Sequence, residues 1–351
     1  MEQKIATVTH PAICFVAGRS GGHIIPCLTR ARELIKRYPA YQVLFFSTHV
    51  PLDMKIIGES EFVSQHISLT LENVPYKRFV RYPVFMWQFI HSFFVSWYWL
   101  KKMAPKRVVT TGGYIAIPVC LAARLLKIPV ELHLLDVIPG KALALLAPLA
   151  QSIAICFEQS KKYLPANKCM LVDYPVRFTK QDKQMSKEVA RTLLQLDQEK
   201  YLIFILGGSQ GSLFLNSLFK VWLAASSSMR ERIQVIHQTG PHETDEWKKT
   251  YADYGITAFV FDYYHDLQHC YRAADIVICR SGAGTLFEIQ FFDLPCITIP
   301  LESATTSHQK DNARAFAQQY PEKVRVLEQG SLEKTKEVLA QVLTLAIVPK
   351  K

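Results

Sequence analysis

Tyr201-Leu202-Ile203-Phe204-Ile205-Leu206 runs without a polar break into Gly207-Gly208-Ser209-Gln210-Gly211-Ser212, and a helical pattern follows. An apolar run of strand length that ends in glycines reads as a strand buried on both faces, entering a tight turn. Free amides where the next helix begins favour negative charge, and Ser209 adds a hydroxyl for a phosphate oxygen. The same pattern occurs twice more. Ala12-Ile13-Cys14-Phe15-Val16-Ala17 enters a turn containing Gly18, Ser20, Gly21, Gly22 and His23, and Ile276-Val277-Ile278-Cys279 enters Arg280-Ser281-Gly282-Ala283-Gly284-Thr285. Three amide-rich turns point to diphosphate binding. None carries G-x-G-x-x-G or a Gly-Lys-Ser/Thr ending, which speaks against nicotinamide binding and triphosphate hydrolysis.

Working outward, apolar runs at residues 42–47, 107–109, 128–133, 233–237, 258–261, 275–279 and 296–299 read as further strands, with helical periodicity at 27–38 and 312–320 among the gaps. Strands alternating with helices along the chain predict an α/β protein with parallel sheets covered on both faces. A length of 351 residues suggests two such units. The boundary falls near Tyr174-Pro175-Val176-Arg177, read as a Pro-containing strand end before a polar linker at 179–184, giving domains 1–177 and 178–351. Ligands of open parallel sheets bind beyond the carboxyl ends of the strands, which places the chemistry between the halves.

Composition narrows the classes. With 49% hydrophobic and 20% charged residues, the chain is neither disordered, nor collagen-like, nor a small disulfide scaffold. A net charge of +11 suits phosphate-bearing partners: nucleotides, anionic lipid or nucleic acid. No nucleic-acid motif accompanies it, so nucleic acid is not expected as a partner. Eight cysteines without a CxxC pair, and an amino-terminal Met1-Glu2-Gln3-Lys4-Ile5 without a basic start and long apolar stretch, predict reduced buried thiols in a cytosolic setting.

Glu288 lies about one turn into the helix after Gly284. A carboxylate there repels phosphate but accepts hydrogen bonds from the vicinal hydroxyls of a ribose. Ser307-His308-Gln309-Lys310-Asp311-Asn312 offers amide side chains for sugar hydroxyls. Residues 84–100 are aromatic almost throughout, with Trp97 and Trp99 prominent, and are flanked by Lys77, Arg78 and Arg81 before and Lys101, Lys102, Lys106 and Arg107 after. These 17 residues fall short of the roughly 20 apolar residues that span a bilayer. The stretch therefore reads as a helix lying on an anionic membrane surface; a helix covered on both faces inside the first domain is the competing reading.

Together the turn from Gly18 to Pro26, Thr111-Gly112-Gly113-Tyr114-Ile115-Ala116-Ile117-Pro118, Gly207-Gly208-Ser209-Gln210-Gly211 and the block from Ala274 to Ala313 resemble the MurG family, the N-acetylglucosaminyltransferases of peptidoglycan synthesis. The resemblance implies a GT-B fold, two Rossmann-like domains facing each other across a cleft. It implies an inverting transfer of N-acetylglucosamine from UDP-N-acetylglucosamine to lipid I, forming lipid II, at the cytoplasmic face of the inner membrane. No cofactor and no metal is required in this reading, and the protein is peripheral to the membrane.

Carried over by residue, the resemblance places Ser209 and Arg177 near the diphosphate, Tyr264 in main-chain contact with the uracil, Glu288 on the ribose, and Ala283, Gly284 and Thr285 under the diphosphate. Gln309, with His308 beside it, meets the sugar. Ser20, Gly21 and Gly22 form the acceptor-side loop, and His23 is the candidate base. The chain departs from the family at Arg19, at Tyr174 and at His133-Leu134-Leu135-Asp136, where Asp136 remains able to accept a sugar hydroxyl. These departures leave room for another lipid-linked or diacylglycerol acceptor, or for a nucleotide-sugar-binding scaffold. After Gln309 a single helical stretch is expected, at 332–346, so the family's closing segment reads as absent or shortened.

Overall fold

Alternate residues of the first apolar run pack on opposite sides of a sheet, as a strand buried on both faces requires. Strand β1 (Ala12–Val16) sends Cys14 and Val16 to one core layer and Ile13 and Phe15 to the other. The computed structural model describes residues 10–72, 74–75, 79–208, 211–241, 243–302 and 308–334, which divide after Arg177 into two units.

In the first unit β1 is followed by β2 (Gln42–Thr48), β3 (Gln65–Leu69), β4 (Val108–Thr110), β5 (Val130–Leu134), β6 (Ser152–Ile155) and β7 (Cys169–Leu171), paired in the order β3-β2-β1-β4-β5-β6-β7. Every pairing is parallel, with Ala12 opposite Gln42 and Cys14 opposite Val108. The helix Gly21–Arg37 covers one face through Ile24, Cys27, Leu28 and Ala31. The helices Tyr82–Met103 and Ala116–Leu125 cover the other.

The second unit holds β8 (Tyr201–Leu206), β9 (Ile233–Gln238), β10 (Ala258–Phe261), β11 (Ile276–Cys279), β12 (Cys296–Thr298) and β13 (Val324–Val326), in the order β10-β9-β8-β11-β12-β13, again parallel. One face packs Ile203, Ile205 and Ile278 against Leu215, Phe219 and Trp222 of the helix Leu213–Ala225. On the other, Phe204 meets an aromatic group of Tyr271, Phe178 and Phe292. In each sheet the first strand of the unit has its neighbours added first on one side and then on the other, so the strand order reverses at β1/β4 and at β8/β11. Such switch points open a crevice at the carboxyl ends of the strands.

Two local expectations are corrected. The segment after β7, residues 172–176, is irregular and contains no strand end at Pro175. Pro175 has no N–H to give a ladder, which explains the break. The polar stretch at 179–184 is not a bare linker: Thr179 and Asp182 close a reciprocal capping box on the helix Lys180–Gln184. Of the helix expected at 332–346, the described part is the end of Gln329–Lys334; the remainder lies outside the described residues.

Candidate functional site

In the second unit, positive backbone angles at Gly208 (φ 88°) and Gly211 (φ 73°) keep the chain out of helical geometry after β8. The helix consequently starts at Leu213, directly after the glycine turn, capped by the Ser212 hydroxyl. Gly211 presses on the β9 turn so closely that a Cβ would stand 2.6 Å from Gly240 Cα. No other residue fits there. Ser209 lies outside the described residues.

Beside this turn, across the switch point, Arg280 follows β11. It is 8% exposed, donates from Nε to Ser212 Oγ at 3.1 Å, and donates from Nη1 to the carbonyls of Ile299 (3.1 Å) and Pro300 (3.3 Å) and to Gln329 Oε1 (2.9 Å). Its guanidinium also stands over the Phe214 ring. Burial lowers its pKa to about 10, so it stays charged at neutral pH. A fixed positive charge thus ties the two phosphate-type turns together.

Asn312 Nδ2 holds the second of these turns by donating to the Ser281 carbonyl at 3.2 Å, and Ser281 meets Thr298 at 2.7 Å. The helix Ala283–Phe291 starts from Gly282 with no side-chain cap. Amides of its first turn, which holds Ala283, Gly284 and Thr285, therefore face outward with no intrahelical acceptor. Glu288 follows one turn later, half-buried, and its Oε2 accepts from the Tyr271 hydroxyl at 2.9 Å. Past β12, Gln309 Oε1 accepts from the Leu301 amide at 2.9 Å, and His308 opens the helix His308–Gln319. Tyr264 stands beyond β10, on the other side of β8, packed on Phe259 and Phe261 with its hydroxyl 3.3 Å from His269 Nδ1. Desolvation raises its pKa, so it remains a neutral phenol. Arg280 escaped sequence reasoning as a site residue, and Asn312, expected to offer its amide to a sugar, is instead buried and spends that amide on the Ser281 carbonyl. An arginine at the end of an apolar run is a faint local sign of a buried charge.

At the first unit's switch point, Ser20 caps the helix Gly21–Arg37 with extended backbone, and its hydroxyl makes no capping bond. The His23 and Ile24 amides both return to the Ser20 carbonyl at 3.1 Å, so Gly21 and Gly22 stand at the helix entrance. His23 is half-buried, and its carbonyl accepts from the Thr111 hydroxyl at 3.1 Å. That bond sets His23 against the turn after β4.

The preceding residue, Arg19, has φ 71° and is held by buried Asp53. Asp53 Oδ2 accepts from the Arg19 amide (2.8 Å), the Thr48 amide (3.3 Å) and the Thr48 hydroxyl. A Cβ on Gly18 would come within 3.0 Å of the same oxygen. Asp53 was not singled out from sequence, because its partners lie elsewhere in the chain.

Asp136 follows β5, half-buried, and its carbonyl takes the Ser160 hydroxyl at 3.4 Å. Arg177, also half-buried, closes the first unit. His133, in contrast, is committed to structure: its Nε2 meets Glu131 Oε1 at 2.6 Å, and Arg107 binds the other Glu131 oxygen at 3.0 Å. Hydrogen bonding from His133, then from Arg107, holds the Glu131 pKa down to about 2. Among the described residues, no three His, Cys, Asp or Glu side chains gather as a metal site. A cavity of about 520 Å³ bounded by Lys187, Arg191, Lys200, Arg232 and Asp275 lies at the opposite, amino-terminal strand ends. There Asp275 is shared by Lys187 and Arg191 and accepts from the Leu202 amide, an arrangement that pins strand ends together.

The aromatic stretch forms the helix Tyr82–Met103, one face of which is turned inside out. Ser92, Ser96 and Leu100 are its buried residues, whereas Trp87 (69% exposed), Phe94 (60%) and Tyr98 (54%) look outward with Val84 and Ile90. The reading in which both faces are covered is therefore overturned. Trp97 and Trp99 pack partly against the core, with Lys101 over the first ring and Lys102 over the second. Among the described residues no helix is long and apolar enough to cross a membrane.

Comparison with known proteins adds the following. Models of the glycosyltransferase family 28 N-terminal and C-terminal domains match residues 13–155 and 202–350. The UDP-N-acetylglucosamine--N-acetylmuramyl-(pentapeptide) pyrophosphoryl-undecaprenol N-acetylglucosamine transferase of Thermodesulfovibrio yellowstonii is 32% identical over 302 residues, covering 86% of this chain and 81% of that protein. The transferase of the same name from Protochlamydia amoebophila is 34% identical over 342 residues, covering 95% and 86%. The crystal structure of Acinetobacter baumannii MurG matches with a TM-score of 0.72 at 24% identity, over 95% of this chain and 90% of that one. A UDP-GlcNAc 2-epimerase from Neisseria meningitidis bound to UDP-GlcNAc reaches 0.67 at 13% identity, over 96% and 91%. These structural likenesses establish the fold: two parallel-sheet, Rossmann-like domains of the GT-B type.

Proposed function

The chain belongs to the MurG family of glycosyltransferase family 28, and from that premise we propose how its residues divide the work of the reaction its relatives are named for. It is a UDP-N-acetylglucosamine-dependent hexosyltransferase that moves N-acetylglucosamine to the undecaprenyl-pyrophosphoryl N-acetylmuramyl-pentapeptide, lipid I, to give lipid II. The observation that supports the following assignment best is Arg280, whose buried charge joins the Gly207–Ser212 and Ser281–Thr285 turns at the β8/β11 switch point.

In this reading the second unit holds the donor. Amides of both turns, Ser209, and Arg280 with Arg177 receive the diphosphate, Glu288 takes the ribose hydroxyls, the Tyr264 main chain contacts the uracil, and His308 and Gln309 meet the sugar. The first unit holds the acceptor between Ser20, Gly21, Gly22 and Asp136. As the acceptor oxygen bonds to the anomeric carbon, the bond from that carbon to the β-phosphate oxygen breaks and the electron pair leaves with UDP. The acceptor proton passes to the neutral imidazole of His23. Attack opposite the leaving group inverts the anomeric centre. The growing charge on UDP is met by fixed amides and guanidinium, a preorganised field that performs the work a metal would otherwise do.

The acceptor is a lipid, and the outward aromatic face of Tyr82–Met103 suits an anionic membrane surface. Trp and Tyr favour the interface, and nearby basic residues contribute about 1 kcal/mol each against anionic lipid. The reading places the enzyme peripherally on the cytoplasmic leaflet.

UDP release in the presence of lipid I tests the assignment. His23→Ala is expected to lower kcat by about 100-fold or more with little change in donor KM. Glu288→Ala is expected to raise donor KM. Full turnover by the His23 variant would remove it from the role of base, and UDP release with another lipid alone would reassign the acceptor.

A further inference from the structure

Tyr271, on the helix Leu267–Ala273, is fully buried in a box of phenylalanines. Its ring lies parallel to Phe292 (centroids 5.2 Å apart, 14° between planes) and edge-on to Phe178 (5.7 Å) and Phe204 (5.4 Å). In such a place the ring of a phenylalanine would pack as well as that of a tyrosine. A buried hydroxyl is a penalty unless it is hydrogen-bonded, so its partner states what the oxygen is for. That partner is Glu288 Oε2, at 2.9 Å.

Glu288 is half-buried on the next helix, Ala283–Phe291, with three rotatable side-chain bonds. A free glutamate samples many rotamers, and ordering it on binding costs affinity. A donor locked by ring packing fixes one carboxylate oxygen and so fixes the direction of the other. We infer that Tyr271 is a positioning residue for the donor. Its hydroxyl holds Glu288 in the orientation that accepts both vicinal ribose hydroxyls, and this sets selectivity for ribose over deoxyribose nucleotides. The inference rests on the assignment of Glu288 to the ribose, and the experiment separates the two.

Calorimetric titration of the full chain with UDP and with 2′,3′-dideoxy-UDP gives a selectivity ratio, and thermal melting of each variant confirms the fold. Tyr271→Phe removes one oxygen and keeps the ring. It is expected to weaken UDP binding by about tenfold while changing dideoxy-UDP binding by less than about twofold, so the ratio collapses. Glu288→Ala collapses the ratio as well, and the double variant is no worse than Glu288→Ala alone, as for two residues acting through one contact. Should Tyr271→Phe not fold, Phe178→Leu, which loosens the packing that fixes the Tyr271 ring, is expected to lower the ratio in the same direction, and an unchanged ratio there overturns the positioning role. Equal weakening toward both nucleotides, or an unchanged ratio in Tyr271→Phe, overturns the positioning role while the ribose assignment stands. An unchanged ratio in Glu288→Ala overturns the ribose assignment itself and the inference with it.

Discussion

Arg19 occupies backbone geometry that costs a residue with a Cβ about 1–2 kcal/mol. What holds it there is Asp53, reached across 34 residues of sequence, together with the bond from the Arg19 guanidinium to the Leu71 carbonyl at 3.1 Å. Asp53→Ala would strand two amides and a hydroxyl around a buried void. Each unsatisfied group costs about 1–3 kcal/mol, so a loss of about 3 kcal/mol is expected in denaturant unfolding, with a larger drop in kcat than in donor affinity as the turn before Ser20 and His23 relaxes. At this scale the sequence was legible where chemistry is local: glycines that admit positive φ, a carboxylate one turn into a helix. It was mute on Asp53 and Arg280, and on the buried partner of Asn312. These residues act on carbonyls and amides that only folding brings near, so no spacing betrays them.

Among elements, the helix Tyr82–Met103 shows how composition can locate a surface without giving its orientation. Aromatic density alone favoured Trp97 and Trp99 as lipid contacts, yet both lean on the core, and the outermost rings are Trp87, Phe94 and Tyr98. Trp87→Glu with Phe94→Glu is therefore expected to abolish flotation with anionic liposomes while leaving the melting temperature unchanged. Trp97→Glu with Trp99→Glu should lower that temperature as well. Flotation that survives the first pair would remove the helix as the membrane contact. The strands followed a similar logic. Those inside the sheets, apart from the short β6, were evident as unbroken apolar runs, as was the edge strand β10. The edge strands β3, β7 and β13 were not, because a half-covered edge needs neither length nor continuous hydrophobicity.

For the molecule as a whole, the repeated pattern of strand, glycine turn and helix at residues 12 and 201 announced two units, and each has its own core. They differ in how they meet acid. In the second unit His237 is buried, with Nε2 at 3.0 Å from Asn216 Oδ1 and Nδ1 at 2.9 Å from the Tyr251 hydroxyl. The amide oxygen accepts, so Nε2 carries the proton and Nδ1 takes the tyrosine's. Desolvation lowers the His237 pKa to about 3. Its contribution is complete above the unfolded value near 6.5 and is lost as pH falls, because the unfolded chain then binds a proton the folded one refuses; the slope is about 1.4 kcal/mol per pH unit. In the first unit Glu131 is held at about 2, so its contribution persists until pH falls below the ordinary carboxylate range. Calorimetry between pH 7 and 5 is expected to show the second unit's transition moving down more steeply than the first unit's, where desolvation lowers the pKa of half-buried His66 in the same direction. His237→Gln should flatten that slope. Equal slopes in the two transitions would contradict the assignment of the larger acid response to His237.

The small hydroxyls of Ser92 and Ser96 face inward while broad indole and phenyl groups face out. Such an arrangement is tolerable only for a protein with somewhere to put that face. On the proposed membrane reading, the molecule carries a sticky flank until it meets a bilayer, one that other copies can find, and crowding or overproduction turns that flank into a route to clumping.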